Sequence, residues 1–416
     1  KMKFQLFEVA STFLYNMKPM TIVLFFLFAI IVVGYLLGKV SVKGITLGSA
    51  AVFFIALIVG HFEGILCGED GIWAESATQL ENYFNLTQNL GLVLFVTAVG
   101  LIAGPNFFKN LKKNAKSYVT LGAIIIAAGA GTFALIILFA PKMNSAMGVG
   151  LLSGALTSTP AFAAARGALE GKVTADVFSQ IAVGQAVAYP FGVIGVVLFV
   201  QIVPKLMHAD MAKERALLAN KESASEKKQY DGKLFHMDKF GLGVFALAII
   251  LGLVLGSINI PLGGGSSFNL GSTGGPLIVG LLFGHFGRIG HFSLKANEKL
   301  LEIFQELGLV LFLIGAGIDG GAGFVDTLAE YGVILFLWGA LITLIPLLIG
   351  FFFAKYVIKL SLFNNLGSLC GGMTSTPALG TLINMTGTSN VATAYAATYP
   401  VALILVVLAA QFLTYL

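Results

Sequence analysis

Long apolar runs are the feature that most limits what this chain can fold into. Five of them approach or exceed the roughly 20 residues that a helix needs to cross the hydrocarbon core of a bilayer. They lie at 21–38, 117–140, 179–203, 331–354 and 389–413. With 57% hydrophobic and only 11% charged residues among 416, a soluble domain of this length is implausible. The sequence therefore predicts an all-α polytopic membrane protein.

Charged residues predict the orientation of these spans, because short loops rich in Lys and Arg lie in the cytoplasm. Lys39 and Lys43 follow the first span, and the lysines between 109 and 116 follow the third. Residues 62–88 contain acidic but no basic side chains, which indicates an external loop. The first twenty residues lack a cleavable-signal pattern, and we expect a short interfacial helix there.

The number of crossings indicates that one apolar segment does not span the membrane. The chain is predicted outside near Lys142 and inside by the polar linker at 205–239, with two apolar stretches between, 147–165 and 179–203. Two full crossings would return the chain to the outside. We therefore predict that 147–165 is a re-entrant hairpin, a geometry tolerated at membrane depth only inside protein or beside a wet cavity.

The second half of the chain repeats the first. "LGLVLFVTAVG" at 90–100 recurs as "LGLVLFLIGAG" at 307–317, and a Thr-Ser-Thr-Pro motif recurs at the same offset of 217 residues. About five transmembrane helices and one re-entrant hairpin per half make an odd number of crossings, which predicts two inverted-topology repeats. The expected organisation is a first membrane repeat at 1–204, a cytoplasmic linker at 205–239 and a second, inverted membrane repeat at 240–416.

The duplicated motif has the chemistry of an anion site. Its copies are Thr157, Ser158, Thr159 and Pro160, and Thr374, Ser375, Thr376 and Pro377. Pro is favoured at the first helical position and Thr just before it is a good N-cap, so each copy predicts a helix that begins inside the membrane, capped by Thr159 or Thr376. Free N–H groups and the positive helix dipole favour an anion at such an end. A single copy would more simply cap a kinked helix, but the duplication favours a binding site.

Arg166 and Asn384 are further polar candidates near the two motifs. The position equivalent to Arg166 in the second half is Ile383, and Asn384 is its neighbour. Arg166 could pair with a substrate carboxylate, extend to the outer interface or bind a nearby carbonyl. These three roles stay open at the level of the sequence.

Gln185, Tyr189 and Tyr399 are candidates for lining the same cavity. Each tyrosine precedes a proline, Pro190 or Pro400, inside a predicted span. Such a proline removes one helical hydrogen bond, which predicts a kink and leaves carbonyl coordination of a cation as an alternative.

We expect no catalytic residues, metal or cofactor. The histidines form no His-x-x-x-His pair, and neither hairpin motif continues into a P-loop. No nucleophile motif of the Gly-x-Ser-x-Gly kind occurs either. The chain is therefore predicted not to be an enzyme.

With the duplicated Thr-Ser-Thr-Pro, the Gly-His-Phe span ends and the Tyr-Pro pairs, the sequence resembles the aspartate–alanine exchanger family over nearly its whole length. The resemblance implies antiport of small carboxylates, such as aspartate against alanine or a C4 dicarboxylate, in the bacterial cytoplasmic membrane. It also assigns substrate binding to the eight motif residues. Many members of that family hold two soluble regulatory domains between the halves, for which 205–239 is too short.

The leading prediction is a secondary active exchanger that works by alternating access, with an elevator-type movement of a hairpin-bearing domain on a fixed scaffold. The alternative is a cation–proton antiporter or channel with crossed broken helices. Such an antiporter normally has a midplane carboxylate, and neither hairpin has one before Glu170. The expected partners are a small anionic or zwitterionic substrate, the lipid bilayer and a second copy in a homodimer, with no nucleic acid.

Overall fold

Helices dominate the computed structural model, which describes residues 18–42, 45–46, 50–67, 71, 73–140, 143–169, 171–220, 234–263, 266–321, 329 and 333–415. The helices are α1 (Pro19–Gly38), α2 (Ala50–Leu66), α3 (Ala77–Phe139), α4 (Ser145–Ala155), α5 (Thr159–Leu169), α6 (Ala175–Leu206), α7 (Met211–Asn220), α8 (Leu242–Gly256), α9 (Gly271–Phe286), α10 (Glu298–Gly321), α11 (Val333–Phe352), α12 (Leu362–Gly372), α13 (Thr376–Thr386) and α14 (Val391–Leu413). A short 3₁₀ turn (Ala74–Ser76) precedes α3, and a π-helical turn (Phe353–Ile358) extends α11. The interfacial helix expected within the first twenty residues lies almost entirely outside the described residues.

In the described part of the chain, three short antiparallel hairpins connect helices. They are β1 (Ser41–Val42) with β2 (Ile45–Thr46), β3 (Ile260–Gly263) with β4 (Ser266–Phe268), and β5 (Arg288–Ile289) with β6 (Phe292–Ser293). Gly290 adopts a φ of 58° in the last of these turns, a left-handed conformation that glycine reaches without steric cost. The hairpins are local turns, so the fold remains all-α.

Seven helical segments in the described part of the chain are long and apolar enough to cross a membrane. Five correspond to the long apolar runs of the sequence, and the other two are Ala74–Pro105 and Glu298–Asp319. The apolar helices α2, α8 and α9 are shorter, with 17, 15 and 16 residues. The prediction of a polytopic α-helical membrane protein is confirmed.

The expectation of a non-helical loop around Lys109–Lys116 is wrong. Helix α3 runs for 63 residues through this segment, from Ala77 to Phe139. Residues 106–121 contain no proline and no glycine, while Lys, Leu and Ala are good helix formers, so nothing local ends the helix. Pro105 lies inside it.

The start of α4 and the end of α13 follow from the local sequence. The Asn144 side chain accepts a hydrogen bond from the Met147 N–H at 2.9 Å and caps α4. Helix α13 ends at Gly387, where φ is 64° and the N–H donates to the Ile383 carbonyl at 2.9 Å. Both ends thus use ordinary capping chemistry.

Residues 1–92 and 308–329 form one compact unit. In it α1 packs on α2, where a Cβ built on Gly34 would lie 2.7 Å from the Val52 Cα. A Cβ on Gly60 would lie 2.2 Å from the Ile318 carbonyl oxygen. Glycine at these positions lets backbones touch, which is how helices pack closely in a membrane.

Residues 93–307 and 330–416 form the other compact unit, which contains both Thr-Ser-Thr-Pro motifs. Part of its core joins α3, α8, α9 and α10 through the buried side chains of Leu101, Phe245, Phe283 and Leu301. Phe245 stacks on Phe304 with ring centroids 4.6 Å apart.

Two pairs of short helices carry the motifs in this unit. The first helix pair, α4 and α5, and the second helix pair, α12 and α13, each consist of two 11-residue helices joined by three residues. Helix α4 packs on α6 and α12 packs on α14. Each pair also contacts the long helix of the other pair, since α5 packs on α14 and α13 packs on α6.

Candidate functional site

The turn of the first helix pair, residues 156–158, is called the first tip here. Its Thr157 N–H donates to the Gly154 carbonyl at 2.9 Å, and its Ser158 N–H donates to the Ser153 carbonyl at 2.8 Å. This pattern of a 5→2 and a 6→1 bond is a Schellman motif. It closes α4 and starts α5 immediately afterwards.

The second tip, residues 373–375, has the same geometry. The Thr374 N–H donates to the Gly371 carbonyl at 3.1 Å, and the Ser375 N–H donates to the Cys370 carbonyl at 2.9 Å. Equivalent residues of the two halves thus fold into equivalent turns.

Both tips place a threonine in a left-handed conformation. The φ angle is 50° at Thr157 and 49° at Thr374. A β-branched residue is a genuine outlier there, at a cost of roughly 1–2 kcal/mol. Glycine would avoid that cost, so the threonine side chains must contribute something in return.

The two threonine hydroxyls connect the tips to each other. Thr157 Oγ1 donates to the Thr374 carbonyl oxygen at 3.1 Å. Thr374 Oγ1 donates to the Leu156 carbonyl oxygen. These bonds bring together residues 217 apart in the sequence and hold the beginnings of α5 and α13 at one place in the fold.

The serines, and not the following threonines, occupy the N-cap positions. Helices α5 and α13 begin at Thr159 and Thr376, so Ser158 and Ser375 precede the first helical residue. Ser158 Oγ accepts a hydrogen bond from the Ala161 N–H at 3.3 Å. The expectation that Thr159 and Thr376 are the caps is wrong, because Pro fits the second helical position here as well as the first.

Most of this region is removed from solvent. Ser158, Thr374, Ser375, Thr376 and Pro377 are buried. Thr157 and Pro160 are half-buried. Seven of the eight motif side chains are thus buried or half-buried, and the Thr159 side chain lies outside what the structure describes.

Arg166 lies in the last turn of α5, about 9 Å along the helix axis from Pro160. Its guanidinium carbon is 5.5 Å from the centroid of the Phe162 ring and 5.2 Å from that of Phe178. The side chain is exposed, and a cation between two rings is a stable arrangement without a carboxylate. Asn384 is also exposed and lies near the far end of α13. The structure places both residues away from the tips.

The three cavity-lining candidates lie on the two long helices against which the pairs pack. Gln185 is half-buried on α6, and its Oε1 accepts a hydrogen bond from Ser153 Oγ at 2.6 Å. Tyr189 is half-buried one turn later. Tyr399 is buried on α14, where its ring stacks on Tyr395 with centroids 5.2 Å apart. Pro190 and Pro400 lie inside these helices without ending them.

Glycine permits the close approach of α4 to α6. A Cβ built on Gly150 would lie 2.1 Å from the Ile181 carbonyl oxygen, and one on Gly184 would lie 2.2 Å from the Met147 carbonyl oxygen. The two backbones are therefore in direct contact, which positions the first tip firmly on α6.

Glu214 and Arg215 contact the second helix pair in a way that the sequence did not predict. Glu214 Oε2 accepts a hydrogen bond from the Leu362 N–H, at the start of α12, at 3.0 Å. Arg215 Nε donates to the Thr386 carbonyl, at the end of α13. The negative Glu214 meets the positive N-terminal end of α12, and the positive Arg215 meets the negative C-terminal end of α13, so both charges are favourable. Helix α7 therefore holds both ends of the second helix pair in place. The only signal in the sequence was a Lys-Glu-Arg run in a segment otherwise typical of a solvated linker.

No three His, Cys, Asp or Glu side chains in the described ranges are grouped so that they could hold a metal ion. The polar groups at the tips are neutral hydroxyls and backbone amides. Buried neutral donors between packed, apolar, membrane-length helices fit a protein of the membrane permease class.

The family comparison agrees with this class. The sequence model described as a predicted permease membrane region, that of the aspartate–alanine exchanger family, matches residues 26–205 and 244–415. The chain belongs to the aspartate–alanine exchanger family. It is a multi-pass membrane protein of transporter type, and its bacterial relatives indicate the inner membrane.

Individual relatives are also named as transporters, and they align with this chain over nearly their full length. An uncharacterized transporter of Bacteroides fragilis is 28% identical, with 93% of this chain and 97% of that protein covered. Uncharacterized transporters of Rhodopirellula baltica and Geobacter sulfurreducens are 27% and 25% identical, with 95% and 93% of this chain and 99% and 97% of those proteins covered. The first alignment extends over 542 positions, more than the 416 residues of this chain, so that relative has additional residues within the aligned region.

Proposed function

We propose that this protein is a secondary transporter that exchanges small carboxylates, amino acids or C4 dicarboxylates, at the meeting point of the two tips. In this proposal each helix pair is a re-entrant hairpin, and the two halves of the chain are inverted repeats. The identical offset of the motifs, their identical backbone geometry and the reciprocal packing of α5 on α14 and α13 on α6 support the repeat. An elevator-type, alternating-access movement of the unit that carries both pairs follows from this proposal.

The observation that carries the proposal is the use of the carbonyl groups at the tips. A tip joins the negative end of one helix to the positive end of the next, so dipoles alone do not select an anion. Six carbonyls in the tips and in the last turns of the helices before them, however, already accept hydrogen bonds, four from tip N–H groups and two from the threonine hydroxyls. The carbonyls concerned belong to Ser153, Gly154, Leu156, Cys370, Gly371 and Thr374.

A cation would need free carbonyl oxygens, whereas a carboxylate needs donors. The N–H groups in the first turns of α5 and α13 are such donors, and no side chain in the described ranges caps α13. The tips are therefore better suited to binding a carboxylate than to binding sodium or carrying a proton.

Counterflow in proteoliposomes tests this function. The purified full chain is reconstituted with radiolabelled aspartate, alanine or succinate inside, and unlabelled amino acids, dicarboxylates or primary amines are offered outside. We expect external carboxylates to accelerate efflux greatly, while amines and protein-free liposomes do not. A flux that ignores every carboxylate and follows a sodium or proton gradient alone would instead establish the cation-antiporter alternative.

A further inference from the structure

The two tips share one backbone geometry but use their serines differently. Ser158 is 1% exposed, and its hydroxyl accepts a hydrogen bond from the Ala161 N–H at 3.3 Å. Ser375, at the equivalent position, is 0% exposed and makes no side-chain cap to α13. Within the part of the chain that the structure describes, Ser375 Oγ has no hydrogen-bond partner.

The helices behind the tips show the same asymmetry. Behind the first tip, Ser153 Oγ donates to Gln185 Oε1 at 2.6 Å, so these polar groups satisfy each other. The equivalents behind the second tip are Cys370 and Tyr395, at the offsets of 217 and 210 that relate the two halves. Tyr395 is 1% exposed. Its hydroxyl lies beside the Thr376 side chain, yet meets the geometry of a hydrogen bond with no described residue.

Two buried hydroxyls without a described partner therefore adjoin one helix N-terminus. A buried donor left without an acceptor is costly, roughly the free energy of desolvating a hydroxyl. At the first tip the equivalent polar groups have partners within the protein, since Ser158 Oγ accepts from the Ala161 N–H and Ser153 Oγ donates to Gln185 Oε1. At the second tip an acceptor supplied from outside the chain would avoid it, and a carboxylate oxygen next to the α13 N-terminus fits both the hydroxyls and the dipole.

We propose that the second tip alone holds the substrate carboxylate, with Ser375 Oγ and Tyr395 Oη as donors, while Ser158 has a structural role. This inference rests on the proposed function and deepens it, because it assigns unequal roles to two halves that are equivalent in sequence. In this assignment every exchanged substrate presents one carboxylate to the second tip. The first tip then faces the part of the substrate that differs from one substrate to the next.

Three serine variants of the full chain test this assignment by counterflow of aspartate and succinate. Ser375→Ala should raise KM about ten- to a hundred-fold, since a lost hydrogen bond to a charged group is worth about one to two factors of ten. Ser375→Thr keeps a hydroxyl and should recover most of the affinity. Ser368→Ala is the matched control: Ser368 is equally buried in the same helix pair, but its hydroxyl donates to the Asn364 carbonyl of its own helix at 2.7 Å.

Ser158→Ala separates a cap from a ligand-binding group. It should lower the melting temperature while its effect on KM stays well below that of Ser375→Ala. Equal increases of KM in both variants, or no increase in Ser375→Ala relative to Ser368→Ala, would overturn the inference and leave carboxylate exchange itself standing. Absence of carboxylate counterflow in the unmodified protein would instead overturn the proposed function.

A second variant covers the case in which Ser375→Ala does not fold. Tyr395→Phe retains the ring that stacks on Tyr399 and removes only the hydroxyl. We expect about a ten-fold higher KM for both substrates with monodisperse protein. An unchanged KM in folded Tyr395→Phe would show that the hydroxyl does not bind the substrate and would contradict the assignment.

Discussion

The reciprocal hydrogen bonds between Thr157 and Thr374 allow a quantitative test of how the tips are held together. Thr→Val at either position keeps the β-branched shape and removes only the hydroxyl. Each hydroxyl donates to a carbonyl of the opposite tip, and both carbonyls belong to buried residues, Leu156 at 0% and Thr374 at 6% exposure. A net hydrogen bond is worth about 0.5–1.5 kcal/mol, and a buried carbonyl left without a partner costs about 1–3 kcal/mol.

Each single valine variant should therefore lower the free energy of unfolding by about 1–3 kcal/mol. In the double variant the tips can separate and rehydrate together, so the second loss should cost less than the first. We expect a coupling energy of about 0.5–1 kcal/mol, the lower part of the range for residues in contact.

Glycine at the same positions gives an independent check. Thr157→Gly also loses the hydroxyl, but it relieves a left-handed conformation that costs a β-branched residue roughly 1–2 kcal/mol. It should consequently destabilise less than Thr157→Val does. Thr157→Ser, which keeps the hydroxyl, should be close to the unmodified protein.

Denaturant unfolding of the purified chain in mixed detergent micelles measures these differences. Thr398→Val is the control, because the Thr398 hydroxyl is buried and donates to the Ala394 carbonyl of its own helix at 3.1 Å. The reasoning is refuted if Thr157→Val matches this control, if the double variant shows strict additivity, or if Thr157→Gly is less stable than Thr157→Val.

Three further predictions concern residues that stabilise the helices of the unit that contains the tips. The Gly243 N–H and the neighbouring backbone N–H groups hold the pKa of the Asp238 carboxyl below its usual range. The contribution of Asp238 to stability is therefore present above about pH 4 and is lost as the pH falls through the lower pKa of the folded state. Thermal melts from pH 6 to pH 2 should show this loss in the unmodified protein but not in Asp238→Asn. Gly150→Ala should destabilise by about 1–3 kcal/mol through overpacking, whereas Gly131→Ala, which meets nothing within 4 Å, should not, as chemical unfolding of both would show. Arg215→Ala should speed proteolysis or hydrogen exchange at the end of α13 without abolishing insertion, and unchanged protection there would show that α7 does not fasten this helix pair.

The class of the protein and its candidate residues could be predicted from the sequence because they depend on one-dimensional properties. The hydropathy of runs such as 179–203 determines whether a helix can cross a bilayer, and that property survives any tertiary arrangement. The offset of 217 residues likewise marks equivalent positions without any coordinates. The family resemblance rested on these same motifs and was confirmed.

Local signals were less reliable at the ends of helices. The Pro in the motif allows either the residue directly before it or the one before that to occupy the N-cap position, and in the structure this position is held by Ser158 and Ser375. The lysines between 109 and 116 suggested a loop because charge is avoided in lipid. Helix α3 nevertheless continues through them, since Lys, although charged, is a good helix former.

Contacts between distant segments could only be decided by the tertiary structure. Thr157 and Thr374 bond because α5 packs on α14 and α13 packs on α6, and no local pattern encodes such a crossing. The same packing leaves Ser158 satisfied and Ser375 without a described partner, although the two tetrapeptides are identical. The sequence by itself therefore determined which residues form the tips, whereas the packing of the surrounding helices determined what each hydroxyl is free to bind.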